Sequence, residues 1–176
     1  MNPKLHGGNV WKLSRELGLP SEELLDFSAN LNPLGPPPWM RSLVANRLND
    51  VRHYPDPDAV DLIDAIARRY CAPKAEILAG NGSTELLRVL LKALDPSRAV
   101  VMAPAYSDYR AASENAGLQV AALVLPENEN FALNMDRLES FIKPRDAVFI
   151  GHPNNPTGAP ADVGALRAIA DRHSDV

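Results

Sequence analysis

From residue 75 onward the chain alternates short apolar runs with amphipathic ones, and no other feature constrains its fold so tightly. Glu76 to Ala79, Ala99 to Ala103, Val120 to Leu125 and Ala147 to Ile150 are too short for helices and read as buried strands. Between and after them, Glu85 to Leu94, Tyr106 to Asn115, Asp136 to Ile142 and Asp162 to Arg172 carry helical spacing. Parallel neighbours need a crossover between them, so strands alternating with helices imply an α/β fold. Its sheet is mostly parallel, with helices on both faces. Ligands of such sheets lie beyond the carboxyl ends of the strands. The residues that follow each strand are therefore where chemistry is expected.

The strand at Ala147 to Ile150 runs into GHPNNPTGAP, residues 151 to 160. Pro153 and Pro156 fix φ and withdraw two backbone donors, so this segment is neither helix nor ladder. Asn154, Asn155 and Thr157 stand on that stiff frame, and Gly158 permits a tight turn. A single Asn there would be an ordinary turn residue, but PNNPTG as a whole is stiffer than a reversal of direction requires. The strand at Glu76 to Ala79 runs into GNGSTELL, Gly80 to Leu87. Its glycines allow a ligand to come close, Ser83 and Thr84 carry hydroxyls, and free amides at a helix start suit a phosphate. Glu85 stands where G-x-G-x-x-G needs its last glycine, and no Gly-Lys-Ser/Thr follows. Neither a dinucleotide fingerprint nor a P-loop is present. On this string alone, a capped helix after a tight turn explains the residues equally well.

Upstream the chain is irregular. Short helices are expected at Val10 to Leu17 and Trp39 to Leu48, and a stronger one at Asp58 to Tyr70, with Leu62, Ile63, Ile66 and Tyr70 on one face. Prolines at 33, 36, 37 and 38 exclude regular structure from Ser28 to Pro38. With 176 residues, 45% of them hydrophobic, one core can form. A net charge of −4 leaves no footprint for nucleic acid or a membrane surface. Cys71 is the single cysteine, and His6, His53, His152 and His173 show no HExxH-type spacing, so neither a disulfide framework nor a metal site is read. No apolar run approaches membrane length, and a cytoplasmic protein without nucleic-acid or membrane partners is expected.

Six strings in order are similar to the fold-type I pyridoxal-phosphate enzymes of the aminotransferase class I/II group. They are HGGN (6–9), LLDFSANLNPLG (24–35), YPDP (54–57), ILAGNGSTELL (77–87), APAYSDY (103–109) and HPNNPTG (152–158). HGGN with DFSANLNPLG resembles most the branch of threonine-phosphate decarboxylases, with histidinol-phosphate aminotransferases next. The resemblance implies pyridoxal 5′-phosphate as cofactor, with Gly82, Ser83 and Thr84 cradling its phosphate, Tyr106 stacking on its ring and Asn155 bonded to its phenolic oxygen. It further implies a homodimer in which Tyr54 reaches the neighbouring subunit's cofactor. His6, Gly7, Ser28 and Asn30 would receive the phosphate of a small phosphorylated amino-acid substrate, for which no Arg or Lys within those strings supplies charge. Taken alone, Tyr106 would be a core tyrosine at a helix start and His6 a histidine near a terminus. Residues 1–48 would form an arm and part of a small domain, and 49–176 the first part of a large cofactor-binding domain. The reaction implied is decarboxylation of L-threonine O-3-phosphate to (R)-1-aminopropan-2-yl phosphate, with transamination of histidinol phosphate as the alternative.

One departure qualifies this. The family's Schiff-base lysine, its ring-nitrogen aspartate and its carboxylate-binding arginine normally lie downstream of NPTG. Lys4, Lys12, Lys74, Lys92 and Lys143 all precede that motif. The expectation is an N-terminal fragment, inactive alone, with an uncovered apolar surface around Leu86, Leu87, Leu90 and Leu91. Two readings of other classes stand beside it: a noncatalytic phosphate-binding α/β module, and a structural or regulatory remnant that binds no cofactor.

Overall fold

The structure, a computed structural model, describes residues 7–176. They fall into two compact units, 7–57 and 58–176. In the first unit, α1 (Val10–Leu17) starts where the side chain of Asn9 accepts from Lys12 N, and it stops at Gly18, whose φ of +67° suits glycine. A single 3₁₀ turn (Ser21–Glu23) and α2 (Trp39–Arg47) follow, the latter beginning directly after the proline run. Side chains of α1 and the segment 24–28 line a groove of about 770 Å³.

The second unit is built on three strands: β1 (Arg98–Ala103), β2 (Gln119–Val124) and β3 (Asp146–Phe149). Their order is β2-β1-β3 and every pair is parallel, with Val100 opposite both Ala121 and Val148. Helices α3 (Val60–Tyr70), α4 (Ser83–Leu94), α5 (Ser107–Asn115), α6 (Met135–Phe141) and α7 (Val163–Arg172) complete the unit. Side chains alternate across β1, so Val100 and Met102 face one layer and Ala99 and Val101 the other. The first layer is the main core, where Val100, Met102, Leu123 and Leu125 meet Leu138 of α6 and Ile169 of α7. On the other side α5 lies against β1 and β2, burying Ala112 and Ser113, and α4 packs on α5. Each of the α/β expectations from β1 onward is met to within a residue or two.

The strand expected at Glu76 to Ala79 does not form. Lys74–Glu76 is a 3₁₀ turn, and Ile77 is extended (φ −112°, ψ 122°) without a ladder partner. An apolar run supplies extended dihedrals, but a strand also needs a neighbour to bond with. On α4, Leu91 is buried while Val89, Leu90 and Leu94 are exposed.

Candidate functional site

Two connections leave the carboxyl ends of β1 and β3, and the start of α4 is tied to the first of them through Thr84. Residues 104–106 join β1 to α5, residues 150–162 join β3 to α7, and α4 opens after GNG at Gly80 to Gly82. Side chains tie these connections together.

The β3 connection is closed on itself first. Asn154 N donates to Ala159 O (2.8 Å) and Gly158 N to Asn154 O (2.7 Å), with Gly158 at φ +72°. His152 Nδ1 accepts from Ala161 N at 3.0 Å, which fixes the ring proton on Nε2. The bonds preceding Pro104, Pro153 and Pro156 are cis. Asn154, only 6% exposed, then reaches across: its Nδ2 donates to Pro104 O (3.0 Å) and to Thr157 Oγ1 (2.9 Å). The β3 loop is thereby fastened to the β1 loop. Asn155, the residue expected to bond the cofactor's phenolic oxygen, is exposed, and no described residue hydrogen-bonds its side chain.

The aromatic residues make a second link. Tyr106 meets Tyr109 edge-on with centroids 5.6 Å apart, and Tyr109 stacks on Phe149, the last residue of β3, at 5.3 Å. A third link runs to α4. Asp108, in the first turn of α5, accepts from Tyr106 Oη at 2.8 Å and from Thr84 Oγ1 at 2.7 Å. The Asp108 hydrogen bond, with burial behind it, pushes the Tyr106 phenol above the ordinary tyrosine range.

The start of α4 has the donors an anion needs. Gly82, its N-cap, sits at φ +86°, ψ 167°, a conformation open essentially only to glycine, and makes no side-chain cap. Asn81 N is taken by the Glu85 carboxylate, while the first-turn amides and the Ser83 hydroxyl lack acceptors among the described residues. Uncapped amides at the positive end of a twelve-residue helix fit a phosphate. The buried Oδ1 of Asn154, which has no hydrogen-bond partner, marks unused polar capacity at the same edge. The residues fit pyridoxal phosphate for phosphate, ring face and amide contacts. None of the described lysines stands on these connections: Lys92 lies in the last turn of α4, Lys143 precedes β3, Lys74 pairs with Asp64, and Lys12 belongs to the first unit.

Gly7 and Ser28 come together within the first unit. The Ser28 hydroxyl accepts from Gly8 N (2.7 Å) and donates to Asp26 Oδ1 (2.6 Å), and a Cβ on Gly7 would lie 1.8 Å from Ser28 O. The Ser28 hydroxyl and amide hold the Asp26 carboxyl below its usual range. Both Gly7 and Ser28 line the 770 Å³ groove, together with Lys12, Glu16 and Asp26. That is one cation against two carboxylates, so the groove itself is no anion well. Asn30 is exposed, Tyr54 is 99% exposed, and His6 lies outside the described residues.

Asp108 and Asn154 are the residues that sequence reasoning missed. The signal for Asp108 was its position two residues after Tyr106 in APAYSDY. For Asn154 it was the paired asparagine, of which only the second was assigned.

The family described as aminotransferase class I and II matches residues 22–175. Threonine-phosphate decarboxylase of Salmonella typhimurium is 38% identical over 167 residues, 95% of this chain and 46% of that protein. Histidinol-phosphate aminotransferase from Clostridium acetobutylicum superposes with a TM-score of 0.74 at 26% identity, over 87% of this chain and 46% of that one. L-threonine-O-3-phosphate decarboxylase from Porphyromonas gingivalis gives 0.63 at 25%, over 78% and 40%. The chain spans about half the length of most of the curated relatives it matches.

Proposed function

The chain belongs to the aminotransferase class I and II family, has the fold of the fold-type I transferases over the part it shares with them, and takes pyridoxal phosphate as cofactor; from this premise we propose that it contributes the cofactor-binding edge of a threonine-phosphate decarboxylase. The observation that carries the cofactor reading is the uncapped start of α4 tied through Asp108 to Tyr106, beside a loop that leaves Asn155 unbonded. The choice of decarboxylation is supported by the 38% identity to the Salmonella protein of that name and by HGGN with DFSANLNPLG.

Gly82, Ser83 and Thr84 would hold the phosphate, Tyr106 would cover one face of the ring, and Asn155 would bond its phenolic oxygen. Tyr54 would serve the neighbouring subunit's cofactor in a homodimer. When bound, pyridoxal phosphate supplies the electron sink for the bond broken at Cα. Gly7, Ser28 and Asn30, with His6, would anchor the substrate's remote phosphate and so set which bond stands perpendicular to the ring. The groove beside Gly7 and Ser28 is not cationic, so this anchoring draws its positive charge from elsewhere. Residues 1–48 and 49–176 are assigned to an arm with part of a small domain and to the start of a large domain.

The test is an assay of the whole protein carrying this chain. Carbon dioxide released from threonine phosphate without a keto-acid acceptor supports the proposal. Acceptor-dependent conversion of histidinol phosphate supports the second reading, which histidinol-phosphate aminotransferases 29–33% identical to this chain favour. Phosphate binding without either activity would leave the noncatalytic module.

A further inference from the structure

Asp108 links two residues to which the cofactor reading gives separate tasks. Its carboxylate accepts from the phenol of Tyr106 (2.8 Å) and the hydroxyl of Thr84 (2.7 Å), joining the start of α5 to the start of α4. The Tyr106 ring also lies perpendicular to that of Tyr109, itself stacked on Phe149. The phenol is thus held at its tip by Asp108 and has Tyr109 packed perpendicular to its ring.

Two chemical consequences follow from the proton count. A phenol donating to an anion has a more electron-rich ring, a better face for an electron-poor pyridine. Thr84 has one hydroxyl proton and directs it to Asp108, so its Oγ1 keeps only lone pairs for other partners. A phosphate oxygen also offers only lone pairs, so it gains nothing from that oxygen. Phosphate binding falls to the Ser83 hydroxyl and the first-turn amides, Thr84 contributing its backbone alone.

We propose that Asp108 is a positioning residue for the ring, acting through Tyr106, and that the Thr84 side chain belongs to this clamp and not to the phosphate cup. This rests on the reading above that Tyr106 stacks on the cofactor and α4 receives its phosphate.

The test uses the cofactor-free full chain, titrated by fluorescence with pyridoxamine phosphate and, in parallel, with pyridoxamine, which lacks the phosphate. Asp108→Ala and Tyr106→Phe are each expected to weaken both ligands by the same factor, about tenfold. The double substitution is expected to cost no more than either alone. Thr84→Val should weaken both ligands in one ratio, whereas Ser83→Ala weakens only the phosphorylated one. In carbon-13 spectra of ring-labelled tyrosine, Asp108→Ala should bring the Tyr106 titration down toward that of an ordinary tyrosine. The proposal is overturned if Asp108→Ala leaves pyridoxamine binding unchanged or tightens the phosphorylated ligand, or if Thr84→Val weakens only the latter. It also fails if Tyr106→Phe, which preserves the fold, leaves pyridoxamine affinity intact while Tyr106→Ala abolishes it. Should Tyr106→Ala itself leave pyridoxamine binding intact, the stacking assignment beneath the proposal is what fails.

Discussion

The two ends of the three-stranded sheet treat their polar groups in opposite ways. At the amino end, Arg98 opening β1 faces Asp146 opening β3, directly across the ladder. The guanidinium makes a bidentate pair with that carboxylate, donates to Phe141 O at 3.1 Å and lies over the Phe141 ring, while Lys143 N donates at 2.8 Å to Oδ2, the oxygen that also accepts from Arg98 Nη2. Asp146 is 4% exposed and its partners are all made. At the carboxyl end, Asn154 Oδ1 is buried without a partner, Asn155 is exposed and α4 is uncapped. A saturated polar cluster holds strands in place, and an unsaturated one is where a ligand can gain hydrogen bonds that folding has not already made.

This contrast can be broken most forcefully at the amino end. Arg98→Met leaves the Asp146 carboxylate buried and unpaired, and is expected to cost about 3–5 kcal/mol in denaturant unfolding. Affinity for pyridoxamine phosphate in the folded fraction should be unchanged. At the other end, Asn154→Ala cuts the tie between the β3 and β1 loops. It should cost about 1–3 kcal/mol and, unlike the arginine variant, weaken the ligand as well.

Acid sharpens the comparison. Burial raises the Asp146 carboxyl, but the Arg98 hydrogen bonds and the Lys143 amide outweigh it and hold the group below its ordinary value. A depressed carboxylate stabilises the fold fully above its unfolded pKa, about 3.9. That contribution is lost as pH falls from there through the lowered value. Asp146→Asn should flatten this part of the stability–pH curve. On the surface, Arg172 first and His173 next hold Glu139 at about 2, so a smaller loss runs from 4.5 downward and Glu139→Gln removes it. The smallest structural effect is expected at Ser83. It makes no capping bond, so Ser83→Ala should move stability by no more than about 0.5 kcal/mol while lowering affinity for the phosphorylated ligand.

The sheet was legible because periodicity reports burial, whereas the Arg98–Asp146 pair at its amino end was not singled out. Val100, Met102 and Leu123 lie in segments whose apolar content fits a strand covered on both faces. The same signal misread Glu76 to Ala79, since an apolar run carries no information about whether a partner strand lies beside it. At the carboxyl end, motifs pointed to Gly82, Ser83, Tyr106 and Asn155, whose chemistry is local. Asp108 and Asn154 were not legible for the opposite reason. An acidic residue in a first helical turn already has an explanation in the helix dipole, and an Asn between prolines has one in the turn. Their roles depend on Thr84 and Pro104, 24 and 50 residues away in the chain.

The central claim, that the carboxyl edge of this sheet receives pyridoxal phosphate, is tested most directly by amide and side-chain NMR on the chain during titration with pyridoxamine phosphate. The first-turn amides of α4, Tyr106 and the Asn155 side chain are predicted to shift together along one binding curve, while Arg98, Lys143 and Asp146 stay still. Shifts confined to the groove beside Gly7 and Ser28, or a saturating titration that leaves Ser83 to Glu85 and Asn155 unmoved, would contradict it.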